Sequence, residues 1–155
     1  PALDQRCLGD YQALWREKQA LPAESFLDRA DDALAAVLLF DQLPRNMFRG
    51  TAQAFDTDAL ARDIARGAIA QGYDIQIGGA GRLFFYMPFQ HSEALEDQDM
   101  AVTLIEGTGD ADAIDFARQH HAMIQRFGRF PHRNAVLARE STPDETEFLK
   151  THQGF

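Results

Sequence analysis

Arg126, Arg129, His132 and Arg133 crowd the stretch 126–134, interleaved with Phe127, Gly128, Phe130 and Pro131. Such neighbours mark a rigid turn rather than a solvated charge run, so the guanidinium groups are expected to have fixed partners. A planar guanidinium grips a carboxylate or phosphate through two parallel N–H bonds. Two uses follow. Either the arginines converge on a small anion, or they pair with Asp41, Glu93 or Asp97 and tie helices together, since an unpaired buried charge is costly.

A second polar group is Asp41, Gln42, Arg45 and Asn46, placed around Leu43 and Pro44 at the end of an apolar run. A carboxylate there is expected to be at least partly buried. It serves as an acid, a base or a ligand anchor, or Asp41 and Asn46 fix the helix end through backbone hydrogen bonds. His91, Ser92 and Glu93 form a third group. With Glu96, Asp97 and Asp99 they suggest a metal, but the spacing matches neither a zinc helix nor a calcium loop. No metal and no cofactor is expected. The candidate ligand set is therefore Asp41, Arg45, Asn46, His91, Glu93, Arg129, His132 and Arg133. All of these but Asn46 are expected to meet in space, with an arginine–carboxylate pair linking 126–134 to Asp41 or Glu93.

The remaining reactive side chains read as structural. His120 shares an apolar face with Phe116, Ile124 and Phe127 and is expected to bond a carbonyl. Ser92, Ser141 and Thr142 sit where helices need caps, and no nucleophile-elbow turn surrounds any of them. Cys7 belongs to an apolar helix stripe.

The elements that position these groups follow a helical period. Leu3, Cys7, Tyr11 and Trp15 make one apolar stripe. A second helix is expected over about 28–43; its 33–40 portion is apolar all round and therefore central, and Pro44 is expected to stop it. Asp56 or Thr57 caps a third helix that Gly72 ends, with Asp58 and Arg62 as a surface i,i+4 pair. The stretch 75–81 reads as a loop, and 82–87 as a short helix interrupted by Pro88. Ser92 caps a helix with Glu93 and Glu96 in its first turn, running to about Glu106. Another covers 111–127, ended by Gly128. Thr142, Pro143 and Glu145 form a capping box before the last helix. Short connections between successive helices suggest an all-α array of antiparallel helix hairpins in a single domain, 1–155.

Composition narrows the function. The chain has 155 residues and a net charge of -9, with 24 acidic residues against 15 basic. That balance opposes general nucleic-acid binding, which needs many phosphate contacts. No apolar run is long enough to span a bilayer, so no membrane partner is expected. The single cysteine and the absence of a visible signal sequence suggest a cytoplasmic protein. The chain begins at Pro1 rather than methionine, so an upstream segment is expected to have been processed, removed or left out.

The stretches 39–46, 49–51, 54–58, 86–93, 126–134 and 139–145 together resemble domain-of-unknown-function family 924, a bacterial family. The resemblance covers nearly the whole chain in order. It implies an all-α, tetratricopeptide-like fold, and it implies no activity. Two departures stand out. Family members begin with an aromatic segment ahead of the first helix that this chain lacks, and Ala138 replaces a glycine the family tends to have before Arg139.

Two functional classes remain. One is a binding protein whose groove takes a peptide or small anionic ligand. The other is an enzyme on a small anionic substrate, with His91 or His132 as acid–base and arginines holding the anion. A closed pocket joining Asp41, His91 and Arg129 favours the enzyme; an open groove favours the peptide binder. The oligomeric state is not legible.

Overall fold

The computed structural model describes residues 2–152 and 154. Every regular element among them is helical, and no strand occurs. The chain divides into two compact units, Pro1–His91 and Ser92–Phe155.

The first unit contains α1 (Ala2–Lys18), α2 (Ala30–Val37), α3 (Leu43–Met47), α4 (Asp58–Ala70), α5 (Tyr73–Ile77) and α6 (Gly81–Gln90). A π-turn, Leu38–Gln42, joins α2 to α3, and 3-10 turns cover Ala23–Phe26 and Ala52–Phe55. The α2–π run is central, as its apolar sequence predicts: Ala33, Val37 and Phe40 are fully buried against α4 and α6. It is not buried all round, however. Ala35 is exposed and Leu38 only half-buried. That open side matters below.

Pro44 does not stop the helix. It lies in the first turn of α3, and the helical path runs through it. A proline lacks an N–H, and its ring collides with the carbonyl four residues earlier. The π-turn widens the helix at that point, and the Leu43 N–H bonds the Leu38 carbonyl five residues back. The Phe40 carbonyl would have bonded the missing proline N–H. It accepts instead from the Thr57 hydroxyl at 2.7 Å. Thr57 in turn accepts from the Trp15 indole N–H at 3.1 Å. Thr57 therefore does not cap α4 with its side chain, as expected; its hydroxyl repairs the gap left by Pro44.

Other elements also depart from expectation. Leu3 and Tyr11 of the α1 stripe are exposed, while Cys7 and Trp15 are buried. Part of the expected 75–81 loop is helical, as α5. The α6 helix continues through Pro88 to Gln90. Gly72, with φ +73°, ends α4 as expected.

The second unit contains α7 (Leu95–Glu106), α8 (Ala111–Phe127) and α9 (Pro143–Leu149), with a 3-10 turn at Pro131–Arg133. The α7–α8 pair is an antiparallel hairpin: Glu106 meets Arg118 near the turn, and Asp99 meets His121 further from it. Met123, Ile124 and Phe130 form its core, with Phe127 and Phe148 packed on them. The α7 cap position is Ala94, not Ser92, and Glu93 lies outside the helix. The Thr142–Glu145 capping box is formed as the sequence predicts.

Candidate functional site

In the first unit the π-turn concentrates charge. Asp41 is fully buried at its centre. His91, the residue after α6, brings Nδ1 to 2.8 and 3.0 Å from the two Asp41 oxygens. Arg45 donates to the Asp41 carbonyl and lies 3.3 Å from its carboxylate. The same guanidinium makes a fork with Asp58 at 3.0 and 3.2 Å. Burial pushes the Asp41 carboxyl up, but His91 and Arg45 outweigh it and hold it below the usual carboxylate range. Asp58 goes the other way: burial raises it against the pull of Arg45. Asp58 is thus no surface partner of Arg62. It is buried, and the i,i+4 spacing disguised that.

Asn46 leaves the helix end alone and donates to Asp4 of α1 at 3.0 Å. Arg49 grips the same carboxylate at 2.8 and 3.1 Å. The Arg49 bonds, followed by Asn46, hold Asp4 well below the usual range. These contacts pin α3 to α1.

An apolar groove opens on the exposed side of the α2–π run. It encloses about 500 Å³ and lies among Tyr11, Leu14, Phe26, Leu38, Leu39 and Leu43, with Lys18, Asp32 and Gln42 as its polar members. Two helical stripes wall it. Tyr11, Leu14 and Lys18 share a face of α1, and Asp32, Ala35, Ala36, Leu39 and Leu43 share a face of the α2–π–α3 run. Tyr11 and Leu14 are 41% and 42% exposed, high for large apolar residues beside a concave surface.

In the second unit Arg126, Arg129 and Arg139 each have a carboxylate of their own. Arg129 makes bonds of 2.6 and 2.7 Å to Glu145. Arg126 pairs with Asp144 at 2.7 Å. Arg139 forks onto Glu93 at 2.7 and 3.0 Å, and Glu93 also accepts the Phe130 N–H at 2.8 Å. Arg126 and Arg129 were expected on Asp41, Glu93 or Asp97; they take residues of α9 instead, while Asp97 receives the Ser92 hydroxyl. Glu93 takes the Phe130 N–H and the Arg139 guanidinium, and the charge of Arg133 also favours its ionised form. Bonds from Arg129 hold Glu145 down at about 2. Burial pushes Glu93 up, but Arg139 and the Phe130 N–H overcome it. His132 is held down at about 4, first by burial and then by Arg133. Arg133 is buried with its guanidinium 4.4 Å from the Phe130 ring centre. His120 Nδ1 bonds the Phe116 carbonyl at 2.8 Å, as its apolar face suggested.

Ala138 stands where the resemblance led to an expectation of glycine, and its backbone is left-handed. It has φ +52°, and among the described residues it is the one non-glycine with positive φ. The Arg139 N–H reaches the Asn134 carbonyl at 2.8 Å, and the Ala138 N–H reaches Ala135 at 3.3 Å. This is the Schellman pattern, whose left-handed position glycine usually fills.

The family model for bacterial proteins of unknown function DUF924 matches residues 1–153. The chain belongs to this family. The chain is also similar to a solved structure, the protein of unknown function ATU0120 from Agrobacterium tumefaciens, which is 38% identical with a TM-score of 0.88; the match covers 96% of this chain and 84% of that one. No curated protein matches the chain.

Within this DUF924 member the eight candidate residues divide between the units. Asp41, Arg45 and His91 share one network, with Asn46 beside it on Asp4. Glu93, Arg129, His132 and Arg133 belong to the second unit. Among the described residues no group of three or more His, Cys, Asp and Glu is placed to hold a metal, and no helix is long and apolar enough to cross a membrane. Sequence reasoning missed Asp58, Glu145 as a pairing residue, and the groove. The groove did leave a signal: Tyr11, Leu14 and Lys18 recur at i, i+3 and i+7 on α1.

Proposed function

We propose that this protein binds a peptide, taking an amphipathic helix into the groove between α1 and the α2–π run. The observation that carries the reading is a concave apolar surface walled by two helical stripes, with Tyr11 and Leu14 substantially exposed. A helix laid in such a groove buries its own apolar stripe between the two walls. The arginines support a structural role rather than an anion site: Arg45, Arg126, Arg129 and Arg139 all engage carboxylates of the chain. The Asp41–His91 contact has the arrangement of an oriented acid–base pair. Yet Asp41 also holds Arg45 and Gln42, which favours an anchor for the π-turn over a catalytic dyad.

The test is heteronuclear NMR titration with a synthetic amphipathic helix of leucine, tryptophan and lysine. Shifts are expected in α1 and α2 and are lost in Leu14→Glu, which alters an exposed side chain and leaves the melting curve unchanged. Absence of shifts in the wild type would sink the reading. If Leu14→Glu instead turns a dimer into a monomer by sedimentation, the groove belongs to a second copy of the chain.

A further inference from the structure

The two walls of the groove are joined on their buried side by one hydroxyl. Leu14 lines the groove from α1, and the next residue, Trp15, is buried. Leu39 lines it from the π-turn, and the next residue, Phe40, is fully buried. Thr57, itself buried, does not line the groove. Its hydroxyl accepts the Trp15 indole N–H at 3.1 Å and donates to the Phe40 carbonyl at 2.7 Å. A hydroxyl has one hydrogen, so the two bonds run in one direction, from α1 through Thr57 to the π-turn.

The ends of α1 are held differently. Asp4, near its start, meets Asn46 and Arg49, so α1 runs antiparallel to the α2–π–α3 run. The Arg49 side chain is 64% exposed, and water and salt weaken that contact. Lys18, at the far end of α1, engages Glu17 of its own helix. The tie through Thr57 lies between these ends and is buried. No water replaces a bond broken there, so an indole N–H and the carbonyl that Pro44 leaves open would both be stranded if the walls moved apart. The spacing between the walls is therefore fixed by a residue that lines neither of them.

We infer that Thr57 is the positioning residue of this groove, holding the Leu14 and Leu39 walls at the separation that admits one helix. The inference rests on the peptide-binding reading and adds to it the residue that sets the aperture. Each bond contributes a factor of about two to ten to the population with that spacing. A ligand's apparent affinity falls in proportion to the population able to receive it.

The experiment compares Thr57→Val with Thr57→Ser. Valine keeps the shape and removes both bonds; serine keeps the hydroxyl. NMR titration with the same synthetic helix of leucine, tryptophan and lysine should show about ten-fold weaker binding to Thr57→Val and near wild-type binding to Thr57→Ser. Thr142→Val removes a capping hydroxyl in the second unit and controls for stability alone: its melting temperature should fall while its affinity holds. The chain has a single tryptophan, so one indole N–H resonance of the labelled protein reports the Trp15 bond. It should move in Thr57→Val and return in Thr57→Ser. If Thr57→Val does not fold, replacing Trp15 by its benzothienyl analogue removes the one donor, and a loss of about a few-fold is expected. Wild-type affinity in Thr57→Val or in the benzothienyl protein, an equal loss in Thr142→Val, or failure of Thr57→Ser to restore binding overturns the inference. If the wild type itself binds no helix, the peptide reading falls. The positioning role is then decided by the Leu14 and Leu39 methyl shifts of the free protein: both should move in Thr57→Val and be restored in Thr57→Ser, and unmoved shifts overturn it.

Discussion

At the π-turn one arginine serves two carboxylates, whereas Arg129 and Arg139, around the Ala138 turn, each have one of their own. Arg45 lies between Asp41 and Asp58, and the cluster is balanced only when the His91 ring also carries charge. Around the turn, Arg129 answers Glu145 and Arg139 answers Glu93. The acidities record the difference. Glu93 and Glu145 are both held down, while at the π-turn Asp41 is lowered and Asp58 is raised. Sharing a cation leaves one carboxylate under-served. The two regions also differ in what they hold. The π-turn network supports the wall and floor of a groove; the other fastens an irregular segment to the starts of α7 and α9.

The largest effect expected of this contrast comes from removing the shared cation. Arg45→Met leaves two buried carboxylates facing each other without their guanidinium. Breaking a buried pair in this way costs on the order of 3–5 kcal/mol. Urea denaturation should show it as a fall in midpoint. Adding Asp58→Asn removes one of the stranded charges and should recover part of the loss, a coupling that a double-mutant cycle reads directly. Strictly additive effects would mean that Arg45 and Asp58 do not act as a pair.

Next in size is the response to acid, where the two regions should pull in opposite directions. Glu145 has a folded pKa of about 2 against an ordinary 4.5. Its contribution is complete above the ordinary value and is lost as pH falls toward 2. Glu145→Gln should therefore flatten the acid-side loss of stability over that window. Asp58 is raised, so its ionised form is less at ease in the folded state than in the unfolded one. Lowering the pH relieves it, and this gain offsets part of the loss from the lowered carboxylates. Asp58→Asn removes the relief, so the variant should lose stability more steeply with acid than the wild type. Denaturation midpoints across a pH series test both. Parallel curves for all three proteins would contradict the assigned directions.

Much of this architecture was legible in the sequence, for reasons visible at particular residues. The period of α4, the Gly72 and Gly128 stops and the Thr142 capping box are local signals, and local signals suffice for local structure. The path through Pro44 was not legible because it depends on Thr57, a residue of another helix that occupies the orphaned Phe40 carbonyl. The candidate site was half legible. Residue types and apolar surroundings marked Asp41, His91 and Glu93 as partnered, but which cation meets which carboxylate is a matter of packing. Asp58 and Arg62 show the trap: helical spacing offered a surface pair, while burial gave Asp58 to Arg45. The groove was missed because a run apolar on every side says nothing about which side stays uncovered.

The smallest effect concerns the turn that aims Arg139 at Glu93. Ala138 holds φ +52° so that the Arg139 N–H can close back on Asn134. A Cβ in the left-handed region costs roughly 1–2 kcal/mol. Glycine removes that strain but adds freedom to the unfolded chain worth roughly 0.5–1 kcal/mol. Ala138→Gly should thus stabilise the protein by about 0.5–1 kcal/mol, a rise of about 2–4 °C per kcal/mol in a domain of this size. Ala138 is exposed, so no packing is lost with the methyl group. Ala138→Val separates strain from flexibility, because a β-branched residue fits the left-handed region worse than alanine does. Its melting temperature should fall below that of the wild type while Ala138→Gly rises above it. If both variants fall, the turn relies on the limited freedom of alanine in the unfolded chain more than it suffers from backbone strain. The one-to-one region would then hold less stored strain than its geometry implies.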